Sequence, residues 1–300
     1  MHDVEIGLGN GNQWGVKIKY IYQEAPLGLA HAVKVSESFL KDEPFLMYLG
    51  DNILKSGLVE FVDEFKKRAS NVLVLLTRVH NPQMFGVVEL NDDGSIKRLI
   101  EKPEKPPTDL VLTGVYMFDK NVFKAANSIQ SSERNELEIT DAIQWLIDNG
   151  YTVRYHLVTG WWKDTGTPED ILEANRFILK DMGRRISDQA LIDGSSKVVG
   201  EVVIEEGVQV ENSEIRGPAA IAVGTKVSNS YIGPYTSVYY NSEIINSEVE
   251  NSIVLENTKI ANIDTRLDGC LIGKGVVIQR KYRRPNALRL ILGDRSKIEF

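Results

Sequence analysis

From Ile204 onward, apolar residues recur at steps of six. Ile204 and Val210 are so spaced, as are Ile215, Ile221 and Val227, then Ile232, Val238 and Ile244. Val254 and Ile260, and Ile272 and Ile278, continue the series. Gly and Asn fill the gaps at Gly207, Gly217, Gly224, Gly233, Gly273, Asn246 and Asn251. A six-residue period marks a left-handed parallel β-helix, in which each coil turns three short faces and cannot bury its apolar side without a neighbour. The register slips near Ile215, Ile232 and Val249. An irregular β domain is the alternative reading. The solenoid is expected over 191–280, after a linker at 183–190.

Residues 1–182 have a different texture. Phe45-Leu46-Met47-Tyr48-Leu49 is an apolar run without helical period, as in a strand buried on both faces of a parallel sheet. It ends in Gly50-Asp51-Asn52. Residues beyond strand carboxyl ends are where open α/β sheets place their chemistry, so Asp51 is a candidate metal ligand or a turn cap. Val16–Tyr22 alternates and reads as a strand, with the Gly7–Gly11 glycines as the turn into it. A helix is expected from about Leu29 to Leu40. Leu58, Phe61, Val62 and Phe65 mark an amphipathic helix with a basic end, and Val72–Leu76 a buried strand. Asp93-Gly94 between apolar runs signals a hairpin that ends at Glu101-Lys102-Pro103. Val111 to Phe118 is a further strand, headed by Thr113-Gly114. Thr140 reads as an N-cap with Asp141 behind it, and Thr167-Pro168 as the start of a helix. Asp164 also ends an aromatic-rich strand. Two carboxylates converging from different strands form a plausible Mg²⁺ site, completed by phosphate oxygens and water. Gln23 offers the donor and acceptor needed to read a base edge, and Gly28 lets a backbone approach a base or phosphate. The alternation of strands and helices implies a doubly wound α/β sheet.

The bulk numbers exclude other classes. A formal charge of −7 does not suit a nucleic-acid binder. The single cysteine, Cys270, cannot form an intrachain disulfide framework or a cysteine zinc site, and a reducing cytoplasmic setting is expected. No apolar run approaches the length of a membrane span. Residues 198–278 carry eleven acids against five bases. The tail at 281–300, with Arg280 before it, carries seven bases from Arg280 through Lys281, Arg283, Arg284, Arg289 and Arg295 to Lys297. Docking of that tail on the acidic solenoid or on a neighbouring subunit is expected, and with it a homo-oligomer.

Several motifs occur together. They are Gln23-Glu24-Ala25-Pro26-Leu27-Gly28-Leu29-Ala30-His31-Ala32, Leu49-Gly50-Asp51-Asn52, Phe85-Gly86-Val87-Val88, Glu101-Lys102-Pro103 and Thr113-Gly114-Val115-Tyr116, followed by Glu136-Leu137-Glu138-Ile139-Thr140-Asp141 and Trp162-Lys163-Asp164-Thr165-Gly166-Thr167. In this order, with the solenoid behind them, they resemble the sugar-1-phosphate nucleotidylyltransferases, most closely the long-form glucose-1-phosphate thymidylyltransferases. The resemblance implies a Rossmann-like doubly wound mixed sheet followed by a left-handed parallel β-helix of hexapeptide repeats. It implies that Gln23 and Gly28 recognise thymine or uracil. Gly86, Glu101, Thr113 and Tyr116 would surround the sugar, and Lys102 would contact its phosphate. Asp51 and Asp164 would hold Mg²⁺, with Trp162 beside Asp164. The substrates would be a nucleoside triphosphate, dTTP or UTP, and a sugar 1-phosphate.

The family opens with a strand and a Gly-x-Gly-Thr-Arg loop that grips the triphosphate, and this sequence has no such motif. An N-terminally truncated nucleotidyltransferase domain is therefore expected, inactive or nearly so alone, and poorly soluble where strand edges are left bare. A non-catalytic sugar-nucleotide sensor or assembly subunit is a second reading. A β-helix acyltransferase is a third, disfavoured because no His follows His156.

Overall fold

The computed structural model describes residues 2–281 and 296–299. Its contacts divide the chain into two compact units, Met1–Asp164 and Thr165–Phe300.

The first unit is a mixed α/β sheet. Its strands are β1 (Phe45–Tyr48), β3 (Val72–Arg78), β4 (Gly86–Leu90), β5 (Ile96–Glu101), β6 (Leu110–Phe118) and β7 (Val153–Leu157). They lie in the order β5-β4-β6-β3-β7, with β1 also on β6. Only β3 and β7 pair in parallel; β6 runs antiparallel to β1, β3 and β4. The apolar runs Val72–Leu76 and Leu110–Phe118 are buried throughout because helices cover both faces of the sheet. On one face α2 (Leu29–Leu40), α4 (Asn121–Ser128) and α5 (Ile139–Asp148) pack on Val72, Val74, Leu76, Leu112 and Phe118. On the other, α3 (Val59–Lys67) sets Phe61 and Phe65 against Leu73, Leu75, Val115 and Met117. Each fully buried side chain of this size contributes about 1.5–3 kcal/mol.

Three local expectations are corrected. β1 is not a parallel strand buried on both faces. It has a single ladder, antiparallel to β6, and its side chains alternate, leaving Leu46 and Tyr48 37% and 38% exposed. An unbroken apolar run cannot by itself distinguish an edge from a centre. Val16–Tyr22 forms no strand, since among the described residues no strand lies beside it to supply a ladder. The glycines before it do form a turn. Gly11 is left-handed, and a Cβ there would meet the Val16 carbonyl oxygen at 2.6 Å. That turn follows a short helix, α1 (His2–Leu8). Finally, Thr140 does not cap α5. Glu138 holds the N-cap position, and Thr140 lies inside the first turn with its hydroxyl aimed elsewhere.

The remaining strands of the first unit are the short pair β2 (Asn52–Leu54) and β8 (Trp162–Asp164), joined antiparallel. Among the described residues no helix is long and apolar enough to cross a membrane.

The second unit opens with α6 (Pro168–Asp181). Thr167 and Asp170 close a capping box at its start, with Pro168 at the first position, as the sequence indicated. The helix lies on the solenoid through Asn175, which donates to the Tyr235 carbonyl and accepts from Ser237. The solenoid stacks three parallel faces of six, five and six strands, consistent with a left-handed β-helix. Arg185–Ile186, in the segment expected as linker, already pairs with Val203–Ile204. Ile204, Val210, Ile215, Ile221, Val227, Ile232, Val238, Ile244, Val249, Val254 and Ile260 are all buried within it.

The register slips have a geometric meaning. The coils advance 16, 17 or 18 residues, and an advance of 17 arises where one face takes five residues instead of six. Asn212, Asn229, Asn246 and Asn262 turn the same corner in left-handed conformation, and Asn tolerates this better than other side chains. Amides of Asn212 and Asn229 bond at 2.7 Å, as do those of Asn246 and Asn262. Inside that corner runs a serine ladder. Ser196, Ser213, Ser230 and Ser247 each accept the N–H of the coil above. Of the basic tail, Arg280 pairs with Asp264 and Lys297 with Glu299; Arg283, Arg284, Arg289 and Arg295 lie outside the described residues.

Candidate active site

The β2·β8 ladder brings the two strand-end acids together. Asn52 stands opposite Asp164 in register, so Asp51 is one residue along from the Asp164 partner. Neither acid is near the other in sequence; the ladder brings their backbones to neighbouring positions. Among the described residues no three of His, Cys, Asp and Glu cluster as a complete metal site. Two hard carboxylates alone still fit Mg²⁺, which takes one or two protein carboxylates and fills its shell with water and substrate phosphate.

Trp162 anchors this corner. Its indole N–H lies 2.5 Å from Asn52 Oδ1 and 3.1 Å from the Thr113 carbonyl oxygen. Its ring meets Phe85 edge-on, with centroids 5.5 Å apart. Asn52 also donates from Nδ2 to Asp51 Oδ1 at 2.9 Å. Asn52 was quoted in the strand-end motif without a role. Its burial behind an exposed strand end is a tertiary fact that the sequence does not display.

Phe85 leads into the next group. Its carbonyl accepts the Lys102 N–H, and Gly86 pairs with Glu101 across the β4·β5 hairpin. A Cβ on Gly86 would come within 2.8 Å of Thr140 and 3.3 Å of Glu101 Oε2, so this glycine lets both side chains pack close against the strand. Lys102 is exposed and left-handed at φ 40, which turns the chain out of the strand beside Glu101. Thr140 donates to Glu101 Oε2 at 3.1 Å, which is where the hydroxyl read as a cap is used. Burial raises the Glu101 carboxyl above its ordinary range, and the charge of Glu138 adds to this; Thr140, Lys102 and Arg134 act against it. Arg134 reaches Glu101 at 3.4 Å, Glu136 at 3.2 Å and Glu138 at 3.6 Å. Glu138 is buried and accepts from Ser132.

Thr113 and Tyr116 sit deeper. Thr113 is 1% exposed and its hydroxyl donates to the Leu75 carbonyl. Tyr116 is a core residue stacked on Phe118, its hydroxyl pushed well up by burial and the nearby Glu101 charge.

Gln23 and Gly28 close the opposite end. Gln23 Nε2 lies 3.2 Å from the Gly28 carbonyl and 3.0 Å from His31 Nδ1. Gly28 precedes α2 with φ 96, and a Cβ there would fall 2.4 Å from the Leu137 carbonyl oxygen. Leu137 pairs by its backbone with Leu27 and Ala30 and leads directly to Glu138 and Thr140. A line of contacts and short chain links thus runs from Gln23 through Gly28, Leu137, Thr140, Glu101, Lys102, Phe85, Trp162 and Asn52 to Asp51.

Comparison with known proteins gives the family. The Nucleotidyl transferase family profile matches residues 2–181. A glucose-1-phosphate thymidylyltransferase of Streptomyces antibioticus is 46% identical over 99% of this chain and 83% of its own length. A low-salt glycan biosynthesis nucleotidyltransferase of Haloferax volcanii is 44% identical over 99% of this chain and 84% of its own. A crystal structure of a Bacillus anthracis protein, assigned as a glucose-1-phosphate thymidylyltransferase and solved with sucrose, superposes with a TM-score of 0.56 at 34% identity. That match covers 62% of this chain and 74% of the other. With its mixed sheet, its trailing β-solenoid and its ordered motifs, this chain belongs to the nucleotidyl transferase family, beside the glucose-1-phosphate thymidylyltransferases.

Proposed function

We infer that this site serves the transfer of a thymidylyl group from dTTP to glucose 1-phosphate, giving dTDP-glucose and pyrophosphate, with Mg²⁺ as cofactor. The observation that carries the reading is the line of contacts and short chain links from Gln23 to Asp51. It supports a base reader, a sugar pocket and an acid pair that follow one another through the sheet unit.

Each residue then has a task. Gln23 spends its amide N–H groups on Gly28 and His31, which leaves its carbonyl oxygen as the atom for the N3–H of a pyrimidine. Thymine and uracil carry that N–H and cytosine does not. Gly28 admits the base close to the backbone. Glu101, paired with Gly86 across the hairpin, accepts from sugar hydroxyls, with Thr113 and Tyr116 in the core beneath. Lys102 meets the sugar phosphate. An oxygen of that phosphate attacks the nucleotide α-phosphorus in line, and pyrophosphate leaves from the opposite side. No covalent intermediate on the protein is involved. The chain's contribution is to hold nucleophile and leaving group collinear and to place cationic charge beside the phosphates. Asp51 and Asp164 would hold Mg²⁺, which would supply charge neutralisation for the phosphate oxygens. A cytoplasmic homo-oligomer accords with this reading.

Calorimetric titration of the 300-residue chain with dTDP-glucose tests the base and sugar pockets without requiring turnover. Binding is expected, with Glu101→Gln weakening it and cytidine diphosphate-glucose failing to compete. A folded protein that binds no thymidine or uridine ligand would end the proposal. Calorimetric titration with dTTP and with UTP separates the two pyrimidines, and dTTP is expected to bind more tightly.

A further inference from the structure

We propose that Asn52 is a positioning residue that locks the Asp51 carboxylate and the Trp162 indole into one hydrogen-bonded unit, so that cation binding at Asp51 and the placement of Trp162 are set together. This rests on the reading of Asp51 and Asp164 as the cation pair.

The orientation of the Asn52 amide is fixed by chemistry. An indole nitrogen can only donate, so the atom it meets at 2.5 Å must be the amide oxygen. The amide nitrogen is then the atom that faces Asp51 Oδ1 at 2.9 Å. Asn52 cannot drift from this position. It is 8% exposed, its backbone N–H donates to the Leu49 carbonyl at 3.1 Å, and its own carbonyl accepts from the Tyr48 hydroxyl at 2.8 Å. β6 makes room for the amide at Gly114, where a Cβ would lie 2.9 Å from Nδ2. One carboxylate oxygen of Asp51 is therefore held by a rigid donor, which sets the rotation of the whole carboxylate before any cation arrives. Groups that orient a metal ligand in this way commonly change metal affinity by 10- to 100-fold when removed. The other end of the unit is Trp162, whose ring abuts Phe85, and the Phe85 carbonyl holds the Lys102 backbone. Asn52 thus ties the acid pair to the loop carrying the sugar-phosphate lysine.

The test uses the full chain with Trp14, Trp145 and Trp161 replaced by Phe, so that emission comes from Trp162 alone. Mn²⁺ affinity is read by electron paramagnetic resonance, and the Trp162 emission is followed while Mg²⁺ is added. In the parent, Mn²⁺ binds in a manner abolished by Asp51→Asn, and Mg²⁺ shifts the emission. Asn52→Leu, checked for folding by circular dichroism, is expected to weaken Mn²⁺ binding by about tenfold and to remove the Mg²⁺ response. Trp162→Phe frees the amide to flip and is expected to weaken Mn²⁺ binding roughly threefold, the worth of one hydrogen bond. A folded Asn52→Leu protein with parental Mn²⁺ affinity overturns the proposal. If Asn52→Leu does not fold, Trp162→Phe decides it, and unchanged affinity there overturns it equally. If Asp51→Asn leaves Mn²⁺ binding intact, the cation-pair reading falls first and the role of Asn52 with it.

Discussion

The two units solve the burial problem in opposite ways. In the sheet unit each strand has its own partners and no contact repeats. Thr113 bonds Leu75, and Trp162 bonds a residue 110 positions away. In the solenoid each coil meets the same column of residues about 17 positions before and after it. Removing one contact in the sheet unit therefore disturbs a unique arrangement, while in the solenoid it disturbs one rung among near-copies. The candidate site lies in the unit where single residues are irreplaceable, and the repetitive unit holds its polar groups in ladders.

Substitutions in both units can sharpen or break that contrast. The largest effect is expected for Leu76→Ala, at a fully buried position in the central sheet, with a loss of about 3–5 kcal/mol in urea unfolding. Ser230→Ala should cost about 1–3 kcal/mol, since it strips the acceptor from the buried Ser247 N–H. Its increased amide exchange should stay within the coils around Ser230, and exchange that spread through the sheet unit would break the comparison. Asn229→Ala should cost about 1 kcal/mol at φ 49, while Asn229→Gly should be close to neutral, as compared by thermal unfolding of the three proteins.

The smallest effect is expected from Glu101→Gln, and its sign is informative. Burial raises the folded-state pKa of Glu101 above its ordinary 4.5. Between the unfolded value and that raised value the native state holds the extra proton, so this group's contribution to stability falls as pH rises through the window. Glu101→Gln should remove that slope and leave the protein slightly more stable at neutral pH while weakening dTDP-glucose binding. A steeper slope in the variant would contradict it.

The solenoid was the more legible region because its code is a period. Spacing alone identifies Ile204, Ile221 and Val238 as stacked, and the slips at Ile215 and Ile232 mark the five-residue face. Within the sheet unit, α2, α3 and the hairpin at Gly94 were readable from local signals, as was the start of α6 in the second unit. β1 was misread as a central strand because edge and centre differ only in what lies beside them. Val16–Tyr22 alternates as a strand does and has no ladder. Thr140 has the chemistry of a cap and uses it on Glu101, 39 residues away. At the site, Asp51 and Asp164 could each be marked as strand ends. Asn52, Glu138 and Arg134 carried no local signal, since their importance arises only when distant segments meet.

The β2·β8 ladder has a kinetic consequence. It joins residues 52–54 to residues 162–164, among the most widely separated partners in the sheet unit. Closing so long a loop is entropically costly, and the short ladder offers little return until β3 and β6 are in place to receive Trp162 and Asn52. The acid pair is therefore among the last features to assemble. Cation affinity would then report completed folding of the whole unit, and a chain that stalls partway would present two separate aspartates and no site.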